Sequence, residues 1–160
     1  MKLQILFGGE LAQSVSETLT ELAQADSHDV TVFDMKDFKK ANLDTVASYT
    51  VFIMQTIEND QAPESATRMF SFLKNKSHPA DMFSNLHFAV IGLGDSNLLQ
   101  DRQTTTGKDC NHCGQTMNKR LKDLGGIMIH DLCEADERTE LSELEPWMTS
   151  FFRTLSSSTA

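Results

Sequence analysis

Phe88-Ala89-Val90-Ile91-Gly92-Leu93-Gly94-Asp95-Ser96-Asn97 is a short apolar run that stops at Gly-Leu-Gly and gives way to small polar residues. The run is too short to cross a membrane and is bounded by turn residues, which reads as a buried parallel strand. Gly92 and Gly94 can take backbone angles closed to other residues and let a ligand approach the main chain. Asp95, Ser96 and Asn97 set a carboxylate, a hydroxyl and an amide just past the strand's carboxyl end, the edge at which open α/β sheets bind ligands. An ordinary strand-to-loop exit has the same residues.

Outward from this stretch the chain alternates strand and helix. Lys2 to Phe7 is an apolar run leaving through Gly8-Gly9, and Leu11, Val15, Leu19 and Leu22 then recur at helical spacing. Val30 to Met35 and Tyr49 to Gln55 read as the second and third strands. Pro63 suits a helix's opening turn, and Ala66, Met69, Phe70 and Leu73 give that helix its apolar face. Beyond the fourth strand, Leu98 to Gly114 is a long polar segment. Met117, Leu121 and Leu124 mark a helix from about Gln115, closed by Gly125-Gly126. Ile127 to Cys133 is a fifth strand, and Leu144, Trp147, Met148, Phe151 and Leu155 make the last helix. The expected fold is α/β, a doubly wound five-stranded parallel sheet, with one domain over 1–155 and a frayed tail over 156–160.

Composition narrows the function classes. The 160 residues are 39% hydrophobic and 23% charged, an ordinary globular balance, and the formal net charge is −9. That charge disfavours nucleic acid and anionic membranes as partners and allows steering towards a basic protein surface. No signal peptide, membrane-spanning run or lipidation motif is present, so the expected location is cytoplasmic. Three cysteines do not make a disulfide framework.

Several of these segments resemble the flavodoxin-like FMN domain of diflavin reductases, of the sulfite reductase flavoprotein and methionine synthase reductase type. Phe88 to Asn97 is similar to that family's strand followed by GLGDS. Arg120-Leu121 through Gly125-Gly126, Asp34 to Phe38, and Cys133 to Glu137 followed by Glu145-Pro146-Trp147 match other family segments. The resemblance covers nearly the whole chain. It implies a flavodoxin-like sheet and an FMN-binding electron-transfer domain. The electron donor would be an NADPH-dependent FAD reductase, expected to be a separate protein because no such module is appended, and the recipient an electron-acceptor protein.

It also implies where FMN would sit. The family's first loop, roughly GSQTGTA, gives hydroxyls and backbone N–H groups to the phosphate at a helix N-terminus. Gly8, Gly9, Glu10, Leu11, Ala12 and Gln13, with Ser14, align with it; the aligned hydroxyls are gone and Glu10 brings a negative charge. In the second loop Thr56, Ile57, Glu58 and Asn59 are the candidate contacts, with Ile57 and Asn59 where the family has glycines. In the third, Leu93, Gly94, Asp95, Asn97 and Leu98 are the candidates, and Leu98 stands where the family places an aromatic on the flavin ring. An isoalloxazine ring can still pack on Ile57 or Leu98, without π-stacking.

Cys110-Asn111-His112-Cys113 has the spacing of a redox dithiol or half a zinc site, and equally of two cysteines in a polar loop. Arg102 to Lys108 is basic and hydroxyl-rich, able to replace lost phosphate contacts or simply to be solvated. The histidines show no nucleophile–base spacing, no G-x-S-x-G elbow occurs, and Gly92-Leu93-Gly94 lacks the third glycine of a dinucleotide fingerprint. No catalytic residue and no metal ligand set is therefore assigned. Two functions stay in play: an FMN electron carrier, and a fold that has lost FMN and serves as a protein-binding or scaffold module.

Overall fold

Strand pairing follows directly from the apolar runs. The computed structural model describes residues 2–39, 48–57, 60–96 and 110–158. β1 (Lys2–Gly8), β3 (Ser48–Gln55) and β4 (His87–Gly94) lie side by side in the middle of the sheet. Their near-continuous Leu, Ile, Val and Phe content suits strands covered on both faces. β2 (Asp29–Asp34) borders β1 at the sheet edge and is only partly covered. On the far side β4 pairs with β5 (Ile127–Met128) and β6 (Cys133–Asp136). Among the described residues every ladder is parallel and the order is β2-β1-β3-β4-β5, the doubly wound arrangement read from the sequence.

Alternating side chains of each strand feed two separate cores. On one face Ile5, Val51, Ile53, Ala89 and Ile91 pack with α1 (Glu10–Ala25) and α4 (Leu144–Ser158). On the other, Leu6, Phe52, Met54, Phe88 and Val90 pack with α2 (Thr67–Lys74) and α3 (His112–Asp123). α3 ends as expected: Gly126 N–H donates to Leu121 O at 2.9 Å and Gly125 N–H to Lys122 O at 3.0 Å, with Gly125 at φ 94°. This is the paired C-terminal closure that glycine permits.

Three expectations need correction. The fifth strand is not continuous over 127–133. Four residues, 129–132, span the gap that two residues of β4, 89–90, span on the other side, so the segment bulges and pairing resumes at Cys133. The bulge is held towards α4, where Trp147 Nε1 donates to Asp131 O at 2.7 Å and His130 meets Ser150 Oγ at 2.8 Å. α3 begins at His112, earlier than Gln115. The cysteine pair is not in a solvated loop: Cys110 and Cys113 are both buried, and Cys113 belongs to the α2/α3 core. α4 runs through Ser158, with the Ser156 and Ser157 hydroxyls bonded back to Phe152 O and Arg153 O.

Candidate functional site at the carboxyl edge of the sheet

Parallel register brings the strand exits to one edge. Gly8 pairs with Met54, Met54 with Gly92, Gln55 with Leu93, and Gly94 with Asp136. The first three loops of the sequence reading therefore start within one stretch of the sheet, and β6 adds a fourth exit. Glu58, Asn59, Asn97, Leu98 and the basic segment Arg102 to Lys108 lie outside the described residues.

The first exit is not a seven-residue cradle. One residue, Gly9, separates β1 from α1, and Glu10, Leu11, Ala12 and Gln13 are already helical. Ala12 is fully buried in the core, and Leu11 lines an apolar groove of about 680 Å³ between α1 and α4. Glu10 is exposed in the first turn. Gly9 is the N-cap at φ 114°, ψ 159°, a conformation that favours glycine, and glycine has no side chain to cap the helix. The missing acceptor comes from β3. Gln55 Oε1 accepts from Leu11 N–H at 3.2 Å, and its side chain lies so close over Gly9 that a Cβ there would overlap it.

Thr56 does the same for the opposite face. Its hydroxyl accepts from Cys113 N–H at 3.1 Å, capping α3, whose own N-cap residue Asn111 makes no side-chain cap. Consecutive residues of a strand point to opposite sides, so Gln55 and Thr56 each supply an acceptor to the helix on its face. Thr56 N–H also donates to Leu93 O at 2.8 Å, tying the second and third exits together. Ile57 follows, its N–H donating to Gln61 O at 2.8 Å, with its side chain 39% exposed.

At the third exit the glycines admit protein. A Cβ on Gly92 would lie 2.7 Å from Asn111 Oδ1, and one on Gly94 would overlap the Cys110 carbonyl. Asn111 Nδ2 in turn donates to Ala135 O at 2.9 Å, so the lead-in to α3 is seated between β4 and β6. Leu93 is fully buried, Gly94 is buried and Asp95 is half-buried. Ser96 N–H donates to Asp136 Oδ1 at 2.9 Å, and Arg138 N–H donates to the same oxygen at 3.0 Å. Burial pushes the Asp136 carboxyl up, but the Ser96 amide and the Arg138 amide and charge outweigh it and hold it below the usual carboxylate range. Glu137 moves upward, through burial first and then the charges of Asp95 and Asp136. This edge is acidic.

Two of the cysteines near it, Cys113 and Cys133, are not activated thiols. Burial pushes Cys113 up, opposed by the Thr56 hydrogen bond and reinforced by Asp60; burial with Glu143 and Glu134 pushes Cys133 up to about 12. A dithiol poised by a helix start would shift the other way. Among the described residues no group of three or more His, Cys, Asp and Glu side chains is placed to hold a metal ion.

Residues 10–150 match the family model described as flavodoxin. The chain belongs to the flavodoxin family. It is similar to diflavin reductases: 26% identical to methionine synthase reductase of Mus musculus over 90% of this chain and 20% of that protein. It is 31% identical to NADPH-dependent diflavin oxidoreductase 1 of Danio rerio, over 93% of this chain and 24% of that one. With the sulfite reductase flavoprotein alpha-component of Aliivibrio fischeri it shares 36% identity over 68% of this chain and 17% of that one. The chain thus spans about a fifth of the length of the curated relatives it matches. A mutant flavodoxin from Pseudomonas aeruginosa superposes with a TM-score of 0.73 at 20% identity, covering 98% of this chain and 99% of that one, which shows the shared fold.

Against the flavin that this family membership implies, the two ends of the site behave differently. Thr56, Ile57, Leu93, Gly94 and Asp95 converge at the expected ring end, where Ile57 offers an exposed apolar side chain. The phosphate end does not fit: the loop is one residue long, its helix N-terminus is already capped by Gln55, and Glu10 stands in the first turn. Sequence reasoning missed Gln55 and Asp136. The signal for Gln55 was available in principle, since the last residue of a strand beside a helix with a glycine N-cap is well placed to cap it.

Proposed function

We propose that residues 1–155 form one electron-transfer domain of the diflavin reductase kind, which takes FMN at the carboxyl edge of its sheet. It would pass electrons from an NADPH-dependent FAD reductase to an acceptor protein in the cytoplasm. The observation that carries this reading is the convergence of the Gly8, Gln55–Thr56 and Leu93–Asp95 exits at one edge in a chain of the flavodoxin family. FMN, when bound, supplies the redox chemistry. The chain's own contribution is positional. Thr56 is locked by two hydrogen bonds, to Leu93 and to Cys113, and Ile57 gives an apolar seat beside it. The acidic group Asp95, Asp136 and Glu137 disfavours added negative charge nearby. Among the described residues no helix is long and apolar enough to cross a membrane.

Gln55 favours a second reading, a protein-binding or scaffold module without FMN, because it occupies the helix end that a phosphate would use. Titrating the purified chain with FMN while following flavin fluorescence separates the two. Saturable binding, weaker than that of a flavodoxin measured alongside, is expected. No detectable binding at high micromolar FMN would remove the electron-carrier reading and leave the second.

A further inference from the structure

We infer that Gln55 is the resident occupant of the α1 N-terminus and that this site therefore recognises a flavin by its ring system without reading the phosphate. This rests on the flavin-binding reading above. Its ligand class is consequently wider than FMN: riboflavin, which carries the same ring and no phosphate, binds nearly as well.

Three features of the structure support it. The geometry is the first: Leu11 is the second residue of α1, its N–H is one of the donors an anion at this helix end would take, and Gln55 Oε1 already accepts it at 3.2 Å. Space is the second. Gln55 Cβ and Cδ close over Gly9, and the turn contains that one residue only, so little main chain remains to wrap a phosphate. The third is that Gln55 cannot easily be spared. Its neighbour Thr56 is bound to Cys113 and Leu93, which holds the end of β3, and Gly9 offers the helix no cap of its own. Moving Gln55 aside leaves the Leu11 N–H without this acceptor. Charge works in the same direction, since Glu10 in the first turn complements the helix dipole and repels a phosphate dianion.

The test compares riboflavin and FMN on the full chain and follows the Leu11 amide by NMR with inorganic phosphate as probe. A phosphate seated on this helix end gains at least one charge-assisted hydrogen bond, which makes FMN about tenfold tighter than riboflavin or more. The expected preference is below about tenfold, and a larger one overturns the proposal. In the parent, millimolar phosphate should leave the Leu11 amide unmoved. In Gln55→Ala, Leu11 should exchange faster with solvent and shift on adding phosphate. Gln55→Glu keeps an acceptor at the same place, so it should stay folded with Leu11 protected and insensitive to phosphate. A phosphate-induced shift in the parent, or protection of Leu11 unchanged in Gln55→Ala, overturns the assignment of Gln55. If neither flavin binds, the electron-carrier reading fails, while the Leu11 measurements still decide whether Gln55 holds the helix end.

Discussion

Asp136 is the carboxylate on which the described end of the third loop depends. It is 3% exposed, and one oxygen, Oδ1, accepts from both Ser96 N–H and Arg138 N–H. Asp136→Ala removes both acceptances and leaves the Ser96 amide, itself in a buried residue, without that partner. Each hydrogen bond to a charged group is worth about 1.5–3 kcal/mol, and two sharing one oxygen sum to less than twice that, so a loss of about 3 kcal/mol is expected. For a domain of this size each kcal/mol moves Tm by about 2–4 °C, giving a fall of about 6–12 °C by calorimetry. Asp136→Asn keeps an acceptor at Oδ1 and loses the charge, so it should fall by less than half as much. The pH dependence has a definite sign. The folded carboxyl lies below its unfolded value, so its stabilisation is complete above the unfolded range near pH 4 and is lost as pH falls through the lower folded value. The stability gap between parent and Asp136→Asn should hold from pH 7 to about pH 5 and close towards pH 3. A gap that widens in acid, or an Asp136→Ala variant that melts with the parent, would refute this account.

Two further outcomes follow from the same geometry. Thr56→Val removes the hydroxyl that caps α3 at nearly constant shape and should cost about 1–2 kcal/mol in denaturant unfolding, with Thr56→Ser close to the parent; equal losses for both would show that methyl packing rather than capping is at stake. Cys110, Cys113 and Cys133 are buried, and Cys113 and Cys133 hold their thiols protonated at neutral pH. Those two should react with an aromatic disulfide reagent only as fast as the protein opens, and Cys110→Ser/Cys113→Ser should lower Tm clearly. Rapid labelling of the native chain, or an unchanged Tm, would contradict the burial.

The Asp136 and Gln55 observations share a cause that also separates what was legible in the chain from what was not. The exits of β1 and β4 are each held by a side chain from a neighbouring strand, Gln55 and Asp136, and such a partner leaves no mark in the local spacing of the segment it holds.

By itself, the amino-acid sequence determined the layering. Val51-Phe52-Ile53-Met54 and Phe88 to Ile91 are apolar at every position, which requires cover on both faces, and the helical spacing of Leu19 or Leu121 supplies that cover. With short right-handed crossovers, this left the parallel order little freedom and brought Gly8, Thr56 and Gly94 to one edge. Only the tertiary structure decided what meets at that edge. Gly92 and Gly94 looked like room for a ligand, and Cys110 and Asn111 fill it. Cys110 and Cys113 stood in a polar stretch, and packing against β4 and α2 buries them. The break in the fifth strand is held by Trp147, whose indole N–H donates to the Asp131 carbonyl. Gln55 looked like the last residue of a strand, and it becomes a helix cap because register sets it over Gly9. Periodicity reports which face of an element is covered; which side chain satisfies a particular N–H depends on distances between residues far apart in the chain, which only the packed fold sets.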